Sequence, residues 1–136
     1  MRAAQLAELI RSNAEELRTL NARIHETARL RNRSPEDLQN WQAACQAFHS
    51  SYDALAFPGG YDDALERIAT SEPDAVDAAL CFLEVRPFFF RSGYMYKDIL
   101  RKVKRAALNN EQAARLANIV AAYELYRASR RRGHAA

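Results

Sequence analysis

The chain has very little with which to turn corners. Four glycines and four prolines are its only strong breakers in 136 residues, and an all-β chain of this length needs far more turns than these supply. The sequence therefore predicts an all-α fold of about six helices, over 3–30, 35–55, 61–69, 72–85, 93–107 and 110–132. At this length one helical domain spanning 1–136 is expected to bury roughly two-thirds of its unfolded surface, enough for a core without disulfides or metal.

Within the first helix Leu6, Ile10, Leu17, Leu20 and Ile24, with Asn13 and Thr27, step alternately by fours and threes. This is a heptad seam, narrowed by Ala7 and Ala14 and suited to one close partner helix. Ser34-Pro35-Glu36-Asp37 then opens a second helix, since Ser34 caps free amides, Pro35 fits the first turn and two acids face the positive end of the dipole. Leu38, Trp41, Cys45, Phe48, Tyr52 and Leu55 repeat the seam. Two such stripes joined by Arg31-Asn32-Arg33 predict a long N-terminal antiparallel hairpin, with four shorter helices completing a bundle.

At 1.5 Å per residue the first helix is about 42 Å long, against roughly 35 to 40 Å for the diameter of a compact globule of this size. It must run the length of the bundle or pair with a second copy, so a homodimer through this helix is one expectation. No internal repeat supports a solenoid.

Phe57-Pro58-Gly59-Gly60 breaks the chain most clearly. Beyond it lies a short third helix with Leu65 and Ile68 inward, and Ser71-Glu72-Pro73-Asp74 opens a fourth with Val76, Ala79, Leu80 and Leu83 on one face. Pro87 disfavours helical geometry at Arg86 and ends it. Ser92-Gly93 is the expected cap of a fifth helix that buries Tyr96, Ile99, Leu100 and Val103. Asn109, with Gln112 three residues on, caps a sixth, whose inward set is Leu116, Ile119, Val120, Tyr123 and Tyr126 and which is expected to end before Gly133, leaving His134 in a tail.

Cys45 and Cys81 both fall among apolar residues at helical spacing, which predicts two free, buried thiols. With no signal-peptide pattern in 1–11, a reducing, cytoplasmic location is expected. No uncharged apolar run approaches the roughly 18 residues needed to span a bilayer. Seventeen arginines against three lysines, with abundant alanine, fit a GC-rich coding genome and hence a bacterial source.

The net charge of +3 conceals a segregation. Residues 1–35 carry a net +3, residues 36–85 one basic and ten acidic side chains, and residues 86–136 twelve basic against three acidic. Many of the acids occupy first turns of helices, where the dipole favours them. Lys97, Arg101, Lys104 and Arg105 share a face of the fifth helix, and Arg130-Arg131-Arg132 closes the sixth. Two explanations stand: the acidic middle and the basic end neutralise each other or are simply solvated, or the basic end meets an anionic partner.

No catalytic constellation is evident. His25, His49 and His134 share no ligand spacing, with no His-Glu-x-x-His pattern and no Cys-x-x-Cys pair, Cys45 sits on a packing stripe, and no glycine-rich phosphate loop occurs. No enzyme activity, metal or cofactor is therefore assigned.

The exception to this plainness is the stretch from Arg86 to Tyr96, which gathers two arginines, three phenylalanines and two tyrosines around one bend. Part of it is expected to face solvent, as arginine and aromatic residues anchor interfaces. Arg86, Phe88, Phe89, Arg91, Tyr94, Lys97, Arg101, Lys104 and Arg105 are the candidate partner-binding residues. The expected function is a non-enzymatic helical protein-binding module, such as an adaptor, chaperone-like factor or immunity protein, meeting an acidic protein surface. The alternative is nucleic-acid binding by the last two helices. A small anion held at Arg86 and Arg91, or an anionic membrane surface, ranks lower.

Overall fold

A computed structural model describes residues 3–135, with side chains to Gly133. Six helices and, among the described residues, no strand follow in order: α1 (Ala3–Ala28), α2 (Pro35–Ala56), α3 (Ala64–Ala69), α4 (Pro73–Val85), α5 (Ser92–Val103) and α6 (Asn110–Ala135). The fold is the expected all-α bundle led by a helical hairpin.

The two seams do meet. α1 packs along α2 and also touches α4, burying Leu6, Ile10, Ala14 and Leu17 against Ala44 and Phe48. The α1 stripe is thus filled within one chain. Near the hairpin tip the second stripe is looser than expected: Leu38 is exposed and Trp41 only half-buried, the indole ring lying 5.3 Å from the Arg31 guanidinium carbon. Ser34 caps α2 as predicted, its Oγ accepting from the Asp37 amide at 3.1 Å. Both cysteines are free, Cys81 buried and Cys45 only half-buried.

α4 forms the centre. It contacts α1, α3, α5 and α6, and Ala75, Val76, Ala78 to Leu83 are all buried, so its apolar surface is far wider than one stripe, with Asp77 and Glu84 left on the side that meets polar groups of α6. Around it close Leu17 from α1, Phe57, Ile68 from α3, and Ile99 and Val103 from α5.

Several boundaries differ from the sequence reading, those of α3 and α5 because a tertiary bond intervenes. α3 begins at Ala64 rather than 61 because the Tyr61 amide is held by the carbonyl and side chain of Asp53 on α2. Gly59 and Gly60 make the turn at positive φ, and a Cβ on Gly60 would stand 2.9 Å from the Asp53 carboxylate. Arg67, the only basic residue of the acidic middle, ties this turn down by donating to the Gly60 carbonyl at 3.1 Å and pairing with Asp63. Ser71 does not cap α4. It adopts positive φ, and its Oγ accepts from the Ala107 amide, which draws the chain out of α5 at Val103, four residues before the expected end. α6 starts at the predicted capping box, with Asn109 and Gln112 exchanging two bonds of 3.0 and 2.8 Å, but it continues through Gly133 to Ala135. The side chain of His134 lies outside the described residues.

Candidate functional site

The site is built at the bend between α4 and α5. Pro87 blocks continuation of α4, and Arg86 turns the chain in the left-handed conformation, φ 51°, with its amide donating to the Phe82 carbonyl at 2.8 Å. Arg91 repeats this at φ 68° as the residue preceding α5. Left-handed geometry costs a residue with a Cβ about 1 to 2 kcal/mol, which is why glycine usually occupies such positions. Ser92 is not the cap that the sequence suggests. It is the first residue of α5, buried, and its Oγ accepts from the Phe89 amide at 3.1 Å.

The three phenylalanines between those arginines have three different fates. Phe89 is 5% exposed, its ring edge-on to Tyr52 and Phe82, so it belongs to the core and is removed from the candidate partner contacts. An apolar ring at the inner side of a tight bend is driven inward by the same burial that places Phe82 beneath it. Phe88 points out, 78% exposed, and its carbonyl accepts from Arg18 of α1 at 2.6 Å. Phe90 is 52% exposed, edge-on to Phe48, with its carbonyl accepting from the Tyr52 hydroxyl at 2.7 Å. Those two bonds fasten the bend to both helices of the hairpin. Burial raises the Tyr52 phenol above its ordinary pKa, partly opposed by the Arg91 charge.

Arg86 reaches across to α6. Its guanidinium carbon lies 3.6 Å from the centre of the Tyr126 ring, 5.3 Å from Tyr96 and 5.7 Å from Tyr123, within the range of cation–π attraction. Tyr123 and Tyr126 are stacked with centroids 6.4 Å apart, and Tyr96 lies 5.3 Å from Tyr123. Arg130 approaches the same ladder, donating to the Tyr126 hydroxyl at 3.0 Å. That bond, with the charges of Arg130 and Arg86, lowers the Tyr126 phenol below its usual value. Burial raises Tyr96, against the pull of Arg86.

Between this bend, the first turns of α5 and the C-terminal half of α6 lies an open cavity of about 690 Å³. Its walls carry five cations, Arg86, Lys97, Arg127, Arg130 and Arg131, and five rings, Phe88, Tyr94, Tyr96, Tyr123 and Tyr126. Among the described residues no carboxylate lines it. Ser92, Gly93 and Tyr94, the opening turn of α5, border the same space, and that turn contains no acidic residue.

The acidic middle does not neutralise these cations. Among the described residues the ion pairs are Arg67 with Asp63 and Glu72, Arg101 with Asp98, and Arg115 with Glu84. Only the last joins the acidic middle to the basic end. Gln112 donating to Asp77 at 3.1 Å adds a hydrogen bond between the same segments, and none of these contacts reaches the cations of the cavity.

Of the predicted contact residues, Arg86, Phe88, Tyr94 and Lys97 come together in the cavity. Arg91 stands beside it, its guanidinium carbon 5.4 Å from the Tyr94 ring and 6.0 Å from Phe90. Arg101, Lys104 and Arg105 are exposed farther along α5 and in the turn after it, outside the cavity, with Arg101 bound to Asp98. Tyr96, Tyr123, Tyr126, Arg127, Arg130 and Arg131 also line the cavity but were not among the predicted contacts: the tyrosines read as inward stripe, and Arg130 and Arg131 only as part of the basic end. Their signal was the spacing of Tyr123, Tyr126, Arg127 and Arg130 along one face of α6, where a buried stripe gives way to tyrosines and then arginines.

Elsewhere, Cys81 faces Arg115, whose Nη2 lies 3.5 Å from the sulfur. Burial nonetheless raises the thiol pKa, which disfavours the reactive thiolate. Among the described residues no cluster of His, Cys, Asp and Glu is disposed to hold a metal ion, and no described helix is long and apolar enough to cross a membrane. Compared with known protein families, with curated proteins and with solved structures, the chain matches none.

Proposed function

We propose that the protein is a non-enzymatic helical binding module of a reducing cytoplasm, and that it docks an acidic segment of a protein partner in the groove between the α4–α5 bend and α6. One observation carries this reading: among the described residues, five cations and five aromatic rings line one cavity and no carboxylate does. Uncompensated positive charge in a concave, partly apolar surface attracts anions more strongly than the same charge spread over a convex face. The exposed rings of Phe88 and Tyr94 add apolar area of the kind that anchors interfaces. The bend itself is hydrogen-bonded to α1 and α2, so a partner meets a surface already held in shape.

The test is a fluorescence anisotropy titration of the protein with labelled acidic, neutral and basic peptides, each carrying one aromatic residue. Binding of the acidic peptide alone, abolished by the pair Arg127→Glu and Arg131→Glu, supports the proposal. Equal binding of all three contradicts it. A second reading, binding of single-stranded nucleic acid, draws on the exposure of Phe88 and Tyr94, 78% and 68%, beside several arginines, since bases stack on such rings. An oligonucleotide that outcompetes the acidic peptide, with affinity falling steeply as salt rises, favours that reading.

A further inference from the structure

We infer that the groove takes a phosphorylated side chain of the protein partner, with Arg86 as the fork that grips the phosphoryl oxygens. This rests on the groove being the docking face proposed above. Arg86 and Arg130 converge on one tyrosine, the first over the ring face at 3.6 Å and the second at the hydroxyl at 3.0 Å. Neither is among the arginines paired with a carboxylate. Two like charges on one ring repel, and Lys97, Arg127 and Arg131 in the same cavity increase that repulsion. A ligand with more than one negative charge relieves it best. A carboxylate brings a single charge and two oxygens, whereas a phosphate monoester brings between one and two charges and three strong acceptors at neutral pH.

The geometry around Arg86 suits such a group. A guanidinium held on the face of a ring keeps in-plane N–H donors for two-point contact with an oxyanion, a contact that an ammonium group does not reproduce. Arg86 also sits at positive φ, where glycine is the ordinary choice, so the side chain is retained against the local preference of its backbone. Such an outlier is a reason to look for function at the residue. The cavity is much larger than a phosphoryl group, and the rings of Phe88 and Tyr94 border the remainder, which leaves room for an aromatic carrier such as phosphotyrosine in a peptide. A nucleoside monophosphate carries the same phosphoryl chemistry on a different body.

The experiment compares an acidic peptide containing tyrosine with the same peptide containing phosphotyrosine, by anisotropy against the full chain at fixed salt. The expected result at pH 7.5 is a gain of about tenfold on phosphorylation, shrinking as pH falls through about 6, where the phosphoryl group loses its second charge. Arg86→Lys and Arg86→Gly, the latter suited to the left-handed backbone, should bind both peptides equally, with helicity by circular dichroism showing that each variant is folded. Arg131→Gln should weaken both peptides alike. Equal affinity of wild-type protein for the two peptides overturns this inference and leaves the docking proposal standing; failure of both to bind overturns the docking proposal as well. Displacement of the phosphopeptide by an equal concentration of adenosine monophosphate overturns the protein source of the phosphoryl group.

Discussion

α4 and α6 are made of similar helix-forming residues and do opposite work. α4 has thirteen residues, eight of them buried, and touches four other helices. α6 has twenty-six, of which only Ile119 is buried among the described residues, and Leu125 is 70% exposed. The short helix gains its stability from apolar packing over most of its surface. The long one is fixed near its start by a capping box, the Arg115–Glu84 pair and Ile119, and beyond that by tyrosines lying against Arg86. The difference shows how a small bundle can hold a rigid core and still present a long, cationic helix face to a partner.

The largest loss of stability is expected in the core. Phe82→Ala should destabilise the fold by about 3 to 5 kcal/mol, read as the shift in a urea transition, because Phe82 is sealed between Phe57 and Phe89. Ile119→Ala should fall at or below the low end of about 2 to 5 kcal/mol, since little else on α6 is buried. A larger effect at Ile119 than at Phe82 would mean that α6 is part of the core after all.

Alkaline pH should act on the packed half. The Tyr61 phenol is pushed up to about 12 from 10.0, by burial first and then by the charges of Asp98 and Tyr52, and Tyr52 and Tyr96 are raised as well. A raised phenol pKa means that the folded state prefers the neutral form. Its contribution is therefore complete below pH 10.0 and is lost as pH climbs to about 12. Melting temperatures recorded across that interval should decline, and Tyr61→Phe should flatten the decline; an unchanged slope in that variant would exclude Tyr61 as a source.

Asn109→Ala removes one half of the α6 cap and should cost about 1 kcal/mol, seen mainly as faster amide exchange in the first turns of α6 and little change in α4. The smallest effect on stability is expected at Arg86→Gly, within about 1 kcal/mol of wild type, because relief of the left-handed backbone offsets the lost contact with Tyr126. The same substitution should remove the preference for the phosphorylated peptide over the unphosphorylated one. A large loss of stability there would make Arg86 a structural cap rather than a binding residue.

The division between these helices was only half legible in the sequence. Periodicity placed every helix, and the Ser34 cap and the Asn109–Gln112 box were read correctly because capping is settled within a few residues. The shifted ends of α3 and α5 were not legible, since they depend on Asp53 holding Tyr61 and on Ser71 holding Ala107, bonds that join distant segments. At the site, charge and aromatic content marked the bend but not its geometry. Three adjacent phenylalanines read alike, yet one points in, one out and one lies at the edge, because the positive φ at Arg86 and Arg91 fixes which way each faces. The α6 half of the cavity escaped notice because Tyr123 and Tyr126 also fit a buried stripe.

On this account the cations of the groove, which pair with no carboxylate among the described residues, are available to an anionic partner, while Arg67, Arg101 and Arg115 are already paired. Nitrogen–proton NMR of the arginine side chains during titration with an acidic peptide tests it most directly. The account predicts shifts at Arg86, Arg127, Arg130 and Arg131, with Arg67, Arg101 and Arg115 unmoved. Shifts spread evenly over both sets, or confined to the paired arginines, would contradict it.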